Sequence, residues 1–390
     1  MSPELSYIIL VFALFVLPHV LLRARIPSAI TSLGAGVVCG MGLHLFHGDP
    51  VVHLFAVLGI AALFLFAGLE VDFPQLRRHG RVVVLHLAAR VVTLAATTAA
   101  VAWCFNLGAR PACIVALALL TPSAGFILSS LPGFGLDEEE RFAVKVKTIA
   151  SEILALAVLF VCVQAESLQR LALSGAALVG VVVILPVAFW AFVRFVMPRA
   201  PKAEFAFLLV LAVLCAFATR ALGAYYLLGA FIVGLVAQRT RAYVPELLSP
   251  KVIDAIELFA SFFIPFYFFH AGLKLHREDF APAALLVGLG FVALVLPLRV
   301  AAMVGFRRLA AGKPLGGSLR VATALLPTLV FTLVLAGILR DLFQVPPALF
   351  GGLIVYTLVN TLIPGFFLRA KPESLDFTRP ELSEPDPRAG

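Results

Sequence analysis

The chain has 390 residues, of which 62% are hydrophobic and 13% are charged, and its mean hydropathy is +1.04. Soluble globular domains carry about 25% charged residues, so this composition excludes a soluble protein and predicts an integral membrane protein. The formal net charge is +8. Such an excess of basic residues indicates either binding to nucleic acid or basic residues concentrated in the cytoplasmic loops of a membrane protein.

Thirteen apolar stretches follow one another along the chain. Each has about 17 to 25 residues, the length that a helix rising about 1.5 Å per residue needs to cross about 30 Å of hydrocarbon. They are residues 5–22, 28–46, 53–70, 82–106, 112–131, 142–165, 172–196, 203–219, 222–238, 254–273, 281–304, 316–339 and 345–368. We therefore predict an all-α integral membrane protein with about 13 transmembrane helices. The membrane domain covers residues 1–370, and residues 371–390, rich in proline and charge, form a short disordered cytoplasmic tail.

The basic residues between these stretches are distributed unevenly. If the amino terminus lies outside, the predicted cytoplasmic loops carry 18 arginines and lysines, among them Lys147 and Arg307, whereas the opposite loops carry six. Short cytoplasmic loops of membrane proteins are enriched in these residues. The pattern predicts a multi-pass protein of the plasma (inner) membrane with its amino terminus outside and its carboxyl terminus in the cytoplasm. The net charge then reflects topology, and no nucleic-acid partner is expected.

Two pairs of short motifs recur seven stretches apart. The second stretch contains SLGAGVVCG and the ninth contains LLGAFIVG; the third ends in FLFAGLEVDF and the tenth in FFHAGLKLHREDF. An odd offset means that the two copies cross the bilayer in opposite directions. We therefore predict inverted-topology repeats, which many secondary transporters contain.

The fifth and twelfth stretches, also seven apart, each have a proline near the middle. Pro122 stands between Thr121 and Ser123, and Pro327 precedes Thr328. Proline lacks the backbone N–H that continues a helix, and its ring clashes with the preceding turn. One interpretation is an ordinary kink. The other, favoured by the depth of both prolines, is a pair of crossed broken helices whose freed backbone groups line a polar cavity.

A single acidic residue interrupts the apolar part of the sixth stretch. Glu152, in KTIASEILALAVLF, lies about ten residues, or about 15 Å, from the start of its stretch, at the depth of Thr121 and Pro327. An ionised carboxylate in hydrocarbon is strongly unfavourable without a partner, and such acids are functional by default. Broken helices and an ionisable group at the midplane are typical of a secondary-transporter site. The alternative is a structurally paired glutamate with no transport role.

These stretches together resemble the monovalent cation:proton antiporter superfamily, particularly its second branch, which includes sodium/proton exchangers. The similarity covers nearly all of residues 5–368 and is carried by FLFAGLEVDFPQLRR, LLTPSAGFIL, GAYYLLGAFIVGLV, IELFASFFIPFYFFHAGLKL and VNTLIPGFFLR. It implies that Glu152 takes the place of the family's ion-binding aspartate and Ser151 that of its neighbour, which is acidic, Asn or Gln in many members. It also implies that Arg299 stands where many members have lysine or arginine.

The same resemblance, together with the repeats, implies a homodimer with two working parts. An ion-binding core of about residues 82–165 and 281–368 would move against a scaffold and dimer part of about residues 1–75 and 172–273.

A cation:proton antiporter needs one group that holds either a proton or a metal ion. A buried carboxylate meets this need, because desolvation favours its protonated form and a nearby positive charge favours its ionised form. We predict that Glu152 binds the proton and the monovalent cation, Na⁺ or K⁺. Ser151, Thr121, Ser123 and carbonyl groups freed around Pro122 are the predicted further oxygen ligands.

Two deep arginines are predicted to compensate charge. Arg299 would neutralise either Glu152 or the carbonyl ends of the broken helices, and a static packing contact is the alternative. Arg90 would pair with a carboxylate or with a helix terminus. Arginine stays protonated, so it cannot carry the exchanged proton. With Glu152 as the single acid, one proton exchanges for one cation and the exchange is electroneutral.

Two other functions are compatible with the sequence. A sodium-coupled symporter of organic anions shares the broken helices but needs more polar anion-binding groups. A transport-inactive or channel-like homologue is favoured by glutamate in place of aspartate and by the absent second acid. The sequence has no P-loop, HExxH or GxSxG motif, so we expect neither an enzyme nor a cofactor.

Overall fold

A computed structural model describes residues 3–78, 80–200, 202–221, 226–241 and 243–368, and within these ranges the chain forms helices and no strand. The α-helices are α1 (Pro3–Leu22), α2 (Ser28–Val37), α3 (Pro50–Leu69), α4 (Phe73–Arg78), α5 (Gly80–Phe105), α6 (Ala109–Leu120), α7 (Ala124–Ser130), α8 (Glu138–Gln164), α9 (Leu168–Ala191), α10 (Glu204–Ala221), α11 (Tyr226–Thr240), α12 (Pro250–Leu273), α13 (Pro282–Ala311), α14 (Leu315–Ala324), α15 (Leu329–Phe343) and α16 (Pro347–Phe367). The predicted tail at 371–390 lies outside the described residues.

The helices long enough to cross a membrane follow the order of the predicted stretches. Ten described segments are long and apolar enough, and α14 with α15 gives an eleventh span, bent by 46°. Two shorter apolar helices, Ser28–Gly42 and Leu228–Thr240, coincide with the second and ninth stretches. The all-α membrane architecture is confirmed, whereas the count of thirteen spans and the orientation of the termini stay predictions.

Both predicted proline breaks are present. Residues 121–123 separate α6 from α7, and residues 325–328 separate α14 from α15. The backbone N–H of Ser123 donates to the carbonyl oxygen of Pro327 at 2.9 Å. The two breaks therefore touch each other, and an ordinary kink does not describe them.

Two glycine pairs bring four helices into close contact. Gly36 of α2 faces Gly272 of α12, and Gly234 of α11 faces Gly68 of α3; a Cβ at Gly36 would lie only 2.0 Å from the carbonyl oxygen of Phe269. Small residues let backbones approach closely in membranes. Because α2 and α11 are seven stretches apart, as are α3 and α12, the two contacts are repeat-related. The recurring sequence motifs thus mark matching helix crossings.

We expect Gly36→Ala to lower the melting temperature of the detergent-solubilised protein, because its methyl group has no room against α12. Overpacking of this kind costs about 1 to 3 kcal/mol. The matched control is Gly34→Ala in the same helix, where nothing lies within 4 Å of the added Cβ. The control should be neutral or stabilising by up to about 1 kcal/mol. Equal melting temperatures for the two variants would contradict this packing.

The acidic run before the sixth stretch starts α8. The Asp137 side chain accepts from the backbone N–H of Glu140 at 2.8 Å, and Glu140 accepts from the backbone N–H of Asp137 at 3.1 Å. Arg320 pairs with Glu140 at 3.2 Å and so ties this end of α8 to α14. The reciprocal cap fixes where α8 begins and therefore the depth at which Glu152 lies.

Several basic residues assigned to cytoplasmic loops lie in helices, among them Lys145, Arg308 and Arg320. Two more, Lys147 of α8 and Arg307 of α13, are also buried, with exposures of 6% and 5%. The loop assignment was wrong for these residues because hydropathy reveals neither how far a helix extends past its apolar part nor whether a neighbouring helix covers a lysine or arginine near its end.

Many of the helix contacts fall within two groups of helices. In one group α3 packs against α11 and α12, and α2 against α12; in the other α5 packs against α6, α6 against α15, and α13 against α16. Contacts of α3 with α7 and of α8 with α9 join the groups. The division into core and scaffold stays a prediction.

Candidate ion-binding site

The first break frees three carbonyl groups at the end of α6, and three side chains bind them. In an unbroken helix the carbonyls of residues 118–120 would accept from residues 122–124, but Pro122 has no N–H. Thr332 instead donates to Ala118 at 2.8 Å and Tyr356 donates to Leu119 at 2.7 Å. Arg90 donates to the carbonyl of residue 120 at 2.7 Å. Carbonyls that were predicted as cation ligands are therefore engaged in this conformation.

The second break is closed by Arg299. Its Nη2 donates to the carbonyl of Leu325 at 2.8 Å, and its Nη1 donates to the carbonyl of Leu326 at 2.9 Å. The same Nη1 also lies 3.0 Å from the hydroxyl oxygen of Tyr356. Arg90 lies in α5 and Arg299 in α13, the fourth and eleventh stretches. Each repeat thus places one cation on the carbonyl end of a broken helix, where the helix dipole favours positive charge.

A chain of buried hydroxyls holds the start of α15. Asn360 accepts from the backbone N–H of Thr328 at 3.2 Å and donates to its hydroxyl at 3.0 Å. The Thr328 hydroxyl also lies 3.0 Å from that of Thr357 and 2.8 Å from that of Thr332. The single hydroxyl proton of Thr332 is donated to the carbonyl of Ala118, so Thr332 must accept from Thr328. The proton of Thr328 is then used, and Thr328 in turn accepts from Thr357. Each hydroxyl proton in the chain has an acceptor, so the network rigidifies the break.

Glu152 is 1% exposed and has one unpartnered oxygen. The backbone N–H of Ala124, the first residue of α7, contacts its carboxyl group, whereas Oε2 has no hydrogen-bond partner in the part of the chain that the structure describes. No described basic side chain lies within 4.0 Å of it. A structural ion pair therefore does not account for this glutamate.

Thr148 lies one helical turn before Glu152 on the same face of α8. Its hydroxyl is fully buried and, among the described residues, also has no hydrogen-bond partner. Buried polar atoms in proteins are normally bonded. Two buried oxygens without partners, on residues one helical turn apart, are candidate ligands for a proton or a cation.

Ser151 points into a different space from Glu152. Its hydroxyl lies 3.2 Å from Nε2 of His86, and it lines a cavity of about 30 Å³ together with Pro122, Arg90 and Arg299. That volume exceeds the roughly 10 to 15 Å³ that one water needs. Glu152 does not belong to the lining residues of this cavity.

The structure brings together most of the predicted site residues. Thr121 and Ser123 are buried at the first break and Thr328 at the second, and Pro122 and Pro327 stand at the same breaks. Arg90 and Arg299 bind helix ends and not Glu152. Of the two partners predicted for the Arg299 charge, Glu152 and the carbonyl ends, the contacts favour the carbonyl ends. They do not distinguish charge compensation from a static packing contact.

Sequence reasoning missed two groups of polar residues. Thr148 precedes Glu152 by four positions, a spacing that puts both on one helix face. The others are Thr332 in α15 and a group in α16 comprising Tyr356, Thr357 and Asn360. The polar cluster YTLVN in an otherwise apolar stretch is the signal that could have indicated the second group.

Comparison with known proteins decides the family. The sequence model described as "Sodium/hydrogen exchanger, transmembrane" matches residues 9–370. The chain belongs to the sodium/hydrogen exchanger family. The predicted resemblance to sodium/proton exchangers is thereby confirmed, and this exchanger-family chain is a multi-pass membrane protein, which points to the plasma (inner) membrane.

One curated relative is the Na(+)/H(+) antiporter NhaS5 of Synechocystis sp., 25% identical over 324 residues, or 78% of this chain and 43% of the relative. The chain therefore spans less than half the length of that relative. Two structures of the sodium proton antiporter MjNhaP1 from Methanocaldococcus jannaschii have a fold similar to that of this chain. The structure at pH 8 has a TM-score of 0.66 and 16% identity, covering 94% of this chain and 96% of the other. The electron-microscopy structure has a TM-score of 0.60 and 16% identity, covering 94% and 95%.

Proposed function

We propose that this exchanger-family chain exchanges a monovalent cation, Na⁺ or K⁺, for protons across the membrane. The observation that carries the proposal is the buried Glu152 carboxyl group, which has one oxygen without a partner and no basic residue beside it. The family membership supports cation/proton exchange. The same observation disfavours an organic-anion symporter, since the group without a partner is an acid and would repel a carboxylate.

Glu152 holds either ligand but not both at once. When it is ionised, one oxygen accepts the N–H of Ala124 and the other is available to a cation; when it is protonated, its charge is lost and the cation leaves. Thr148 supplies a neighbouring hydroxyl oxygen, and Thr121 and Ser123 lie at the adjoining break. Hard cations prefer such oxygen ligands. No cofactor enters this scheme.

Alternating access follows from the division into two parts. The core with α5 to α8 and α13 to α16 carries Glu152, and we propose that it moves against a scaffold that forms a homodimer. The close glycine contacts within the scaffold support its rigidity. A structure with Glu152 at the contact between two copies would contradict this arrangement.

The test is cation-dependent proton flux in proteoliposomes that contain a pH-sensitive dye. After a proton gradient is imposed, addition of Na⁺ or K⁺ should dissipate it with no organic solute present, and Li⁺ should be assayed in the same way. Protein-free liposomes are the control. Flux that requires an organic anion would indicate the symporter, and no flux with any of the three cations would indicate an inactive homologue.

We expect the exchange to be electroneutral. Glu152 is the single acid described at the site, and Arg90 and Arg299 keep their charge through the cycle, so one proton replaces one cation. The membrane potential is worth about 2.3 kcal/mol per elementary charge per 100 mV and should leave the driving force unchanged. With Na⁺ as the transported ion and potassium-diffusion potentials set by valinomycin, the Na⁺ gradient that nulls proton flux should not vary with voltage. A shift with voltage would reveal a second titrating group.

A further inference from the structure

A second cavity, of about 330 Å³, opens between α5, α8 and α13. It lies at the end of the bundle where the predicted cytoplasmic loops are, since the exposed side chains of Glu139 and Lys313 line it. Its walls are largely apolar and include Val82, Val83 and Phe306. Its volume falls within the roughly 300 to 1,000 Å³ of small-molecule sites.

A buried lysine without a carboxylate partner lines this cavity. Lys147 is 6% exposed, its Nζ lies 3.1 Å from Sδ of Met303, and it stands 4.5 Å from the centre of the Phe306 ring. No carboxylate lies within 4.0 Å of it in the described ranges. A thioether and an aromatic face compensate an ammonium charge only weakly, so a bound anion would stabilise this side chain.

The other charges at the cavity do not supply that anion. Glu139 is bound by both Arg307, at 3.6 Å, and Lys313, at 2.7 Å. Arg307 is 5% exposed, and its Nε has no hydrogen-bond partner among the described residues. Of the three cationic side chains that line the cavity, Arg307 and Lys313 pair with this carboxylate and Lys147 does not. Lys147 and Arg307 therefore keep donors that a bound anion could use.

We propose that this cavity binds the anionic headgroup of a phospholipid from the adjacent leaflet, with Lys147 and Arg307 donating to its phosphate. Basic pockets between transmembrane helices at the cytoplasmic side suit such headgroups. Side chains on a helix tilt toward its amino terminus, which directs the Lys147 ammonium toward the membrane surface. The apolar walls accommodate the start of an acyl chain.

The cavity can be entered sideways from the bilayer. Val82 lines it and is 42% exposed, and Val84 beside it on α5 is 66% exposed. Exposed apolar side chains on a transmembrane helix face lipid. Lys147 stands about 140° around α8 from Glu152 at about 100° per residue, and Glu152 does not line this cavity. A lipid here would therefore act on the stability of the core without contacting Glu152.

The experiment measures melting temperature and bound lipid for the purified full chain in a neutral detergent. Phosphatidylglycerol should raise the melting temperature, since a ligand that binds only the folded state stabilises it, and phosphatidylcholine should not. Lys147→Met should abolish this rise and weaken phosphatidylglycerol binding, counted by native mass spectrometry, at least about tenfold. Lys147→Arg keeps the charge and should keep the rise.

The control is Lys145→Met in the same helix, because Lys145 pairs with Glu70 and does not line the cavity. If Lys147→Met does not fold, Lys147→Gln takes its place. An equal rise with phosphatidylcholine, or a full rise in Lys147→Met, would overturn the proposal. A rise with inorganic phosphate and none with phosphatidylglycerol would assign the site to a free anion and would also overturn the proposal.

Discussion

The Glu152→Gln variant should insert and fold but show no cation-dependent proton exchange. Glutamine keeps the size of the side chain and an oxygen for the Ala124 N–H, yet it can neither release a proton nor balance a cation. Proton flux in proteoliposomes should fall to that of protein-free liposomes, while the melting temperature stays at or above that of the wild type. Stability is expected to hold because no ion pair of Glu152 is lost.

Two companion variants make the result specific. Glu138→Gln removes an exposed acid from the first turn of the same helix and should leave the flux unchanged. Glu152→Asp keeps the carboxylate but shortens it, so exchange should persist with a changed apparent affinity for the cation. Wild-type flux in Glu152→Gln would show that another group carries the proton.

Replacement of Arg299 by leucine should damage both stability and transport. The change leaves the carbonyls of Leu325 and Leu326 without their donors and removes a contact to the Tyr356 hydroxyl. Each buried polar group without a partner costs about 1 to 3 kcal/mol. We therefore expect a lower melting temperature and loss of exchange, because the second break would no longer be held beside the first.

The matched control is Arg308→Leu, an exposed position in the same helix α13, which should have little effect. Arg299→Lys should be intermediate, because an ammonium lacks the planar fork that reaches two carbonyls at once. Arg90→Leu should cost less than Arg299→Leu, since Arg90 has one such bond. Unchanged exchange in Arg299→Leu would mean that the carbonyl contacts are incidental.

Local rules in the sequence were enough to predict the helical character of the chain, its two breaks and the depth of the candidate glutamate. Hydropathy gives the apolar stretches, proline chemistry gives the breaks at Pro122 and Pro327, and counting residues gives the depth of Glu152. These features depend on a residue and its neighbours along one helix. They do not depend on which other helix packs against it.

Tertiary packing decided what the sequence could not. Whether Arg299 binds Glu152 or a helix end depends on how far α13 lies from α8 and α14, and hydropathy carries no such distance. Lys147 was assigned to a loop because its burial comes from Met303 and Phe306 on another helix. The donors to the α6 carbonyls were missed for the same reason, since Thr332 is 214 residues away in the chain.

The long separation of these hydrogen bonds has a consequence for biogenesis. The carbonyl of Ala118 is bound by a threonine 214 residues later, and that of Leu119 by a tyrosine 237 residues later. At about 5 to 20 residues per second, the ribosome needs about 10 to 40 s to deliver the first of these partners. During that time the amino-terminal half sits in the bilayer with open carbonyls that water or the insertion machinery must satisfy. The first repeat can therefore be inserted but not completed on its own, and full resistance to proteolysis should be reached only after α16 has been synthesised.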